Sequence, residues 1–217
     1  EPSGEPFDEL SLDASGRPRN PMINAGAITA HTLVGEPDTA PHERVERIIR
    51  LLSDLAGREL SVDEDVWRSE VATADRNLAI AHMLRSHGIL TDSAEEVVSA
   101  YSRQCAVLVT ARDLALMAAT LANGGVQPVT GKQVFTGAQV RHVMSVMLTC
   151  GMYDSAGDWV SSVGIPAKSG VGGGIIGALP GQAGLATFAP PLDEHGNSVR
   201  GVEAFERLSR DMGMHLM

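Results

Sequence analysis

"GIPAKSGVGGGIIGALPGQAGLATFAPP", residues 164–191, holds Lys168, one of only two lysines in a chain of 217 residues. A lysine on a solvated strand needs no particular setting. This one lies between Ile-Pro-Ala and Ser-Gly, with a glycine run following, as expected of a cation held in a cleft beside a small hydroxyl residue. Glycines at 172–174 leave backbone N–H groups open to a ligand, and such an N–H suits an oxyanion. "WVSSVGIPAKSG", "GGIIGALPG" and "GLATFAP" read as short β-runs, the last two joined through Pro180-Gly-Gln-Ala in a hairpin-like turn.

Upstream of residue 150 the pattern is helical. "NAGAITAHTLVG" reads as a short helix of small residues that allow close packing. "APHERVERIIRLLSDLAG" places Val45, Ile48, Ile49, Leu52 and Leu55 on one helical face, with Gly57 as the stop. Ser61-x-x-Glu64 and Ser93-x-x-Glu96 have the form of capping boxes. Further helices are expected from Asp75 to Gly88, from Thr110 to Asn123-Gly-Gly, and from Thr136 to Cys150. Past the strands, Val199, Val202, Phe205 and Leu208 mark an amphipathic helix packed on the sheet. The fold class is therefore α+β: a mainly helical region over about 20–150, then strands and a terminal helix over about 158–217, with a cleft expected between helices and sheet.

Composition narrows the function. With 27 acidic and 17 basic residues the formal charge is −10, and no basic run is available to neutralise phosphates, which argues against a nucleic-acid partner. Mean hydropathy is zero, and no apolar run approaches a membrane helix. Cys105 and Cys150 are far apart and without metal-ligand spacing, so both read as buried thiols of a reducing, cytoplasmic setting. The seven histidines show no metal-like grouping, and neither a metal nor another cofactor is expected. The chain opens on Glu1, in a proline-rich stretch that reads as a mid-domain loop, so the expectation is a domain whose N-terminal part is missing.

Lys168-Ser169-Gly170 has the form of the Lys-Thr/Ser-Gly element of the serine acyl-transfer enzymes related to β-lactamases and penicillin-binding proteins. Together with "NPMINAGAI", "DRNLAIAHML", "YSRQCAV", "MAATLANGGV", "LTCGMYDSAGDWV", "GIPAKSGVGGGI" and "PPLDEHGNSVRGV", in order and in register, the whole chain resembles the serine-dependent glutaminases. That resemblance implies a β-lactamase-like fold, a partial glutaminase domain over residues 1–217, and hydrolysis of L-glutamine to L-glutamate and ammonia through a serine acyl-enzyme. It also implies self-association into homo-oligomers.

Carried over by motif, Asn24 would hydrogen-bond glutamine, while Glu70 and Asn77 would reach its amino-acid end, a carboxylate suiting the α-ammonium. Tyr101 and Tyr153 would complete the pocket, with Tyr153 also exchanging a proton with the nucleophile. Val171 would give its N–H to the oxyanion, and Lys168 would orient and tune the site. Read alone, the two tyrosines are equally core aromatics, Glu70 a solvated carboxylate, and Asn24 a helix cap.

One element of the family is absent. The residues three before the lysines at 132 and 168 are Val129 and Ile165, so the sequence contains no Ser-x-x-Lys, the motif that activates the nucleophile. Two alternatives to hydrolysis stay open: a non-catalytic amino-acid-binding or subunit-interaction module, and a penicillin-recognising enzyme, although the Ser-Asp-Asn element of the latter is missing. Ser102 stands where the resemblance leads one to expect an aromatic.

Overall fold

Short polar residues ahead of apolar periodic runs set most helix starts in the computed structural model, which describes Pro6, Leu10 and residues 12–217. The opening loop reading thus falls in part outside the described residues. The helices are α1 (Asn24–Thr32), α2 (Pro41–Ala56), α3 (Glu64–Ala72), α4 (Asp75–Ser86), α5 (Ala94–Cys105), α6 (Ala111–Ala122), α7 (Gly137–Cys150), α8 (Ala156–Ser162) and α9 (Val199–Met212). The strands are β1 (Ala167–Gly170), β2 (Gly174–Leu179) and β3 (Ala183–Phe188). Thr110 and Thr136 close reciprocal capping boxes with Asp113 and Gln139, and Ser93 caps α5, each satisfying amides that a helix start leaves unpaired. Gly57 and Gly88 take positive φ just past α2 and α4, the left-handed stop that glycine adopts most readily.

The described residues form two compact units: Leu10 and residues 12–53 with Glu59–Leu108, and Asp54–Arg58 with Val109–Met217, the second also taking in Pro6. In the first, α1, α4 and α5 enclose Ala25, Ile28, Ala81, Leu84, Val97 and Val98. In the second, β1, β2 and β3 form an antiparallel sheet in that order, with α6 and α9 on it. Gly184 of β3 lies so near α6 that an added Cβ would collide with the backbone of Ala115 and Ala119. On the other face Phe205 of α9 is fully buried with Ile175, Leu179 and Trp159. The α+β arrangement, with the terminal helix packed on the sheet, stands as expected.

Several local expectations need correction. "WVSS" lies in α8: its indole N–H reaches the Ile165 carbonyl at 2.7 Å and its ring meets Phe205 at 5.4 Å, packing that overrides the β-propensity of a short apolar run. The α3 cap is Asp63, whose carboxylate accepts from the amides of Asp65 and Val66; Ser61 is too far upstream. Val199 is exposed, and the buried face of α9 runs through Gly201, Phe205 and Ser209. Cys105 is exposed rather than buried, whereas Cys150 is buried.

Candidate active site

The period of two along a strand separates Lys168 from Ser169. Lys168 pairs with Ile176, on the sheet face that carries Gly184 and meets α6; Ser169 pairs with Ile175, on the face that meets α9. The Ser169 hydroxyl is buried with no hydrogen-bond partner. The expected small hydroxyl beside the lysine is thus turned into the core. What Ser169 offers instead is its carbonyl oxygen, which accepts from both the Lys168 ammonium and, at 3.1 Å, the Tyr153 hydroxyl.

Tyr153 opens a single 3-10 turn, Tyr153–Ser155, between α7 and α8. Among the described residues it is the one non-glycine at positive φ, 55°, a strained setting for a bulky side chain. Gly151 makes the approach possible. Its carbonyl accepts from the Ser169 amide at 3.0 Å, and a Cβ there would collide with the Ala167 carbonyl. Strand β1 therefore runs directly against the end of α7, two residues before Tyr153.

The Lys168 ammonium lies 4.4 Å from the centroid of the Tyr153 ring, within cation–π range. Burial pushes its pKa down to about 8, offset in part by attraction to the Cys150 sulfur. Burial pushes the Tyr153 phenol up to about 12, while the Val171 N–H, donated to the phenol oxygen, acts in the opposite sense. Val171 itself is exposed in the turn joining β1 to β2, where Gly173 (φ 93°) donates to the Gly170 carbonyl. Tyr153, Lys168 and Val171, the three sequence-predicted catalytic residues, therefore meet around one phenol oxygen and one carbonyl.

The other predicted residues lie in the first unit. Asn24 does not cap α1; the residue before it does so without a side-chain bond. Its amide donates instead to the Asn77 carbonyl oxygen at 2.8 Å, joining α1 to α4. Glu70 is exposed on the last turn of α3. Tyr101 is half-buried against the α1–α4–α5 core, and its hydroxyl hydrogen-bonds the Cys105 thiol one turn further along α5. That thiol is pushed up to about 11, first by loss of hydration, with the Tyr101 bond opposing and the Glu70 charge adding; the residue nonetheless keeps solvent contact. The sequence reading of both cysteines as buried thiols gives Cys105 no partner. The i, i+4 spacing within "YSRQC" was the signal that could have tied Cys105 to Tyr101. Among the described residues no three His, Cys, Asp or Glu side chains are grouped to hold a metal ion, and no helix is long and apolar enough to cross a membrane.

A family model described as Glutaminase matches residues 1–217. The chain is 58% identical over 217 residues to a glutaminase of Corynebacterium glutamicum and 55% identical to glutaminase 2 of Bradyrhizobium diazoefficiens, covering all of itself, 52% of the first and 34% of the second. It spans about half the length of the Corynebacterium relative. The crystal structure of Mglu in its glutamate form superposes at a TM-score of 0.95 and 57% identity, over the whole chain and 50% of that structure. A probable glutaminase of Bacillus subtilis superposes at 0.94 with 33% identity, over 73% of its length. The fold is the β-lactamase-like one of these structures. With the whole chain matched by the family model and the Lys168–Tyr153 pairing built on the Lys-Ser-Gly strand, the chain belongs to the glutaminase family.

Proposed function

We propose that the chain serves the hydrolysis of L-glutamine to L-glutamate and ammonia, by way of a serine acyl-enzyme. The observation that carries this reading is the shared Ser169 carbonyl, which holds the Lys168 ammonium and the Tyr153 phenol beside each other with widely separated proton affinities. A lysine titrating near 8 can take up a proton at slightly alkaline pH, and a phenol titrating near 12 keeps its own and can donate it. The pair suits the two directions of proton movement in acyl transfer: removal from the attacking hydroxyl and delivery to the leaving ammonia. The Val171 N–H, already aimed at an oxygen, is a donor of the kind that steadies a developing oxyanion.

In the first unit, Glu70 is assigned to the substrate's α-ammonium and Asn24 and Asn77 to its polar groups, with Tyr101 bounding the pocket. The glutamate form of Mglu, a protein 57% identical to this chain, supports amino-acid recognition. Since the sequence holds no Ser-x-x-Lys, the nucleophile is assigned to a segment that this chain does not contain.

Ammonia release from L-glutamine tests the reading, measured for the chain alone and for the chain joined to a family segment bearing Ser-x-x-Lys. Release only from the joined protein is expected; release from neither overturns the reading, and release from the chain alone overturns the serine assignment. In the joined protein, Tyr153→Phe should lower kcat on the order of 100-fold or more with KM little changed, and Glu70→Gln should raise KM.

A further inference from the structure

We infer that His195 is a positioning residue for Tyr153, acting through Asp154 to hold the 3-10 turn in the strained conformation that aims the phenol at Ser169. The inference rests on the proton-transfer reading of Tyr153 given above.

The turn is gripped from one side by a single loop. His195 Nδ1 meets the Asp154 carboxylate at 2.9 Å, and the Asn197 amide donates to the Ser155 hydroxyl at 3.4 Å. The two residues that follow Tyr153 are thus each held by the loop, and Tyr153 is the residue at φ 55°. The loop is itself braced. Asp193 Oδ1 accepts from the amides of both His195 and Asn197 at 2.9 Å, and the Asp193 amide reaches the Asn197 carbonyl at 2.8 Å. Asn197 is buried; Ser198 caps α9 and donates to the Ala189 carbonyl at 2.7 Å. One end of the grip is therefore fixed to the sheet and to α9, so a bulky residue can be held in a backbone region it otherwise avoids.

Two carboxylates face the imidazole, Asp154 at 2.9 Å from Nδ1 and Glu194 at 3.8 Å from Nε2, and the charge of Asp193, whose carboxylate bonds the loop amides, adds to their effect. The hydrogen bond to Asp154 is the largest influence raising the imidazole's pKa above its ordinary value. The grip is a charged pair while the imidazole holds its proton, and a neutral imidazole bonded to a carboxylate once the proton is lost.

The chain's two lysines, two tyrosines and seven histidines allow a test by NMR on the protein labelled with 13C in lysine, tyrosine and histidine. In the parent, the Tyr153 ring signals should shift with the same midpoint as the His195 imidazole; a Tyr153 signal flat across that titration overturns the inference and needs no variant. In His195→Ala the Lys168 midpoint should rise from about 8 by about one pH unit or more as the ring leaves the ammonium and water enters. His195→Asn, which keeps a donor near the Nδ1 position without a titrating charge, should restore the Lys168 midpoint while abolishing the pH response of the Tyr153 ring. An unchanged Lys168 midpoint in a folded His195→Ala, with Lys132 as reporter of folding, also overturns it. These signals do not depend on turnover, so failure of glutamine hydrolysis and failure of the grip are separate results.

Discussion

The Lys168 ammonium and the Tyr153 phenol share one acceptor, the Ser169 carbonyl, with the ammonium 4.4 Å from the ring centroid. The pair sits where hydration is poor, and poor hydration drives the two groups apart: the lysine falls to about 8 and the phenol rises to about 12.

That separation has a stability signature. Between about pH 8 and 10.5 the unfolded lysine holds a proton that the folded one has released, so stability should rise with pH across this interval. The penalty relieved is on the order of 2 kcal/mol once partial solvent contact is allowed for. The phenol has the opposite sign, with stability falling from about pH 10 to 12. Urea unfolding between pH 7.5 and 9.5 should show the rise in the parent and none in Lys168→Met; equal slopes contradict the lowered lysine.

Ser169→Ala should leave stability unchanged or raise it by up to about 1 kcal/mol, because the buried hydroxyl has no partner and its removal relieves an unmet hydrogen bond. The carbonyl that anchors Lys168 and Tyr153 is retained. A clear loss of thermal stability would show that the hydroxyl has a partner after all.

Gly184→Ala should destabilise by about 2–4 kcal/mol, since its new Cβ meets α6 backbone rather than a side-chain end that can move aside. Gly181→Ala, with open space around its Cβ, should lose about 1 kcal/mol from its positive φ alone. Denaturant midpoints for the two variants decide it: equal losses would mean that β3 can lift from the helix at no further penalty.

Asp113 is buried beside the half-exposed Arg58 guanidinium, which donates to it at 2.8 and 2.6 Å, and it also closes the α6 capping box. The Arg58 bonds hold its carboxyl well below the usual carboxylate range. Its contribution is therefore complete above about pH 4 and is lost as pH falls further. Asp113→Asn should reduce stability by about 1–3 kcal/mol at pH 7 and flatten the acid limb of the stability curve; an unchanged acid limb would assign that limb to other carboxylates.

Local punctuation made much of the fold readable. Thr110 and Thr136 sit three residues before the partners that complete their boxes, and Gly57 and Gly88 end the helices at the expected places. The Lys-Ser-Gly strand and the tyrosine two residues after Gly151 could be selected from the sequence because family motifs surround them. The direction of each bond was less accessible. Asn24 bonds Asn77 across 53 positions instead of capping its own helix, and nothing local distinguishes those uses. Ser169 turned inward because its neighbour Lys168 takes the opposite face of β1, a consequence of strand geometry that motif reading alone passes over. The grip on Asp154 and Ser155 joins residues about 40 apart, a separation at which sequence spacing is silent.

The anchor under Lys168 and Tyr153 belongs to the main chain, and every residue that could occupy position 169 supplies the same carbonyl. Genetic change at that codon therefore has little purchase on the site's central bond. Vulnerability is displaced to Gly151, where any side chain would push β1 away, and to the 3-10 turn that opens on Tyr153 at positive φ. In the protein joined to a Ser-x-x-Lys segment, substitutions that lower ammonia release yet keep the fold should cluster in the stretch from 151 to 155 and be sparse at Ser169 itself.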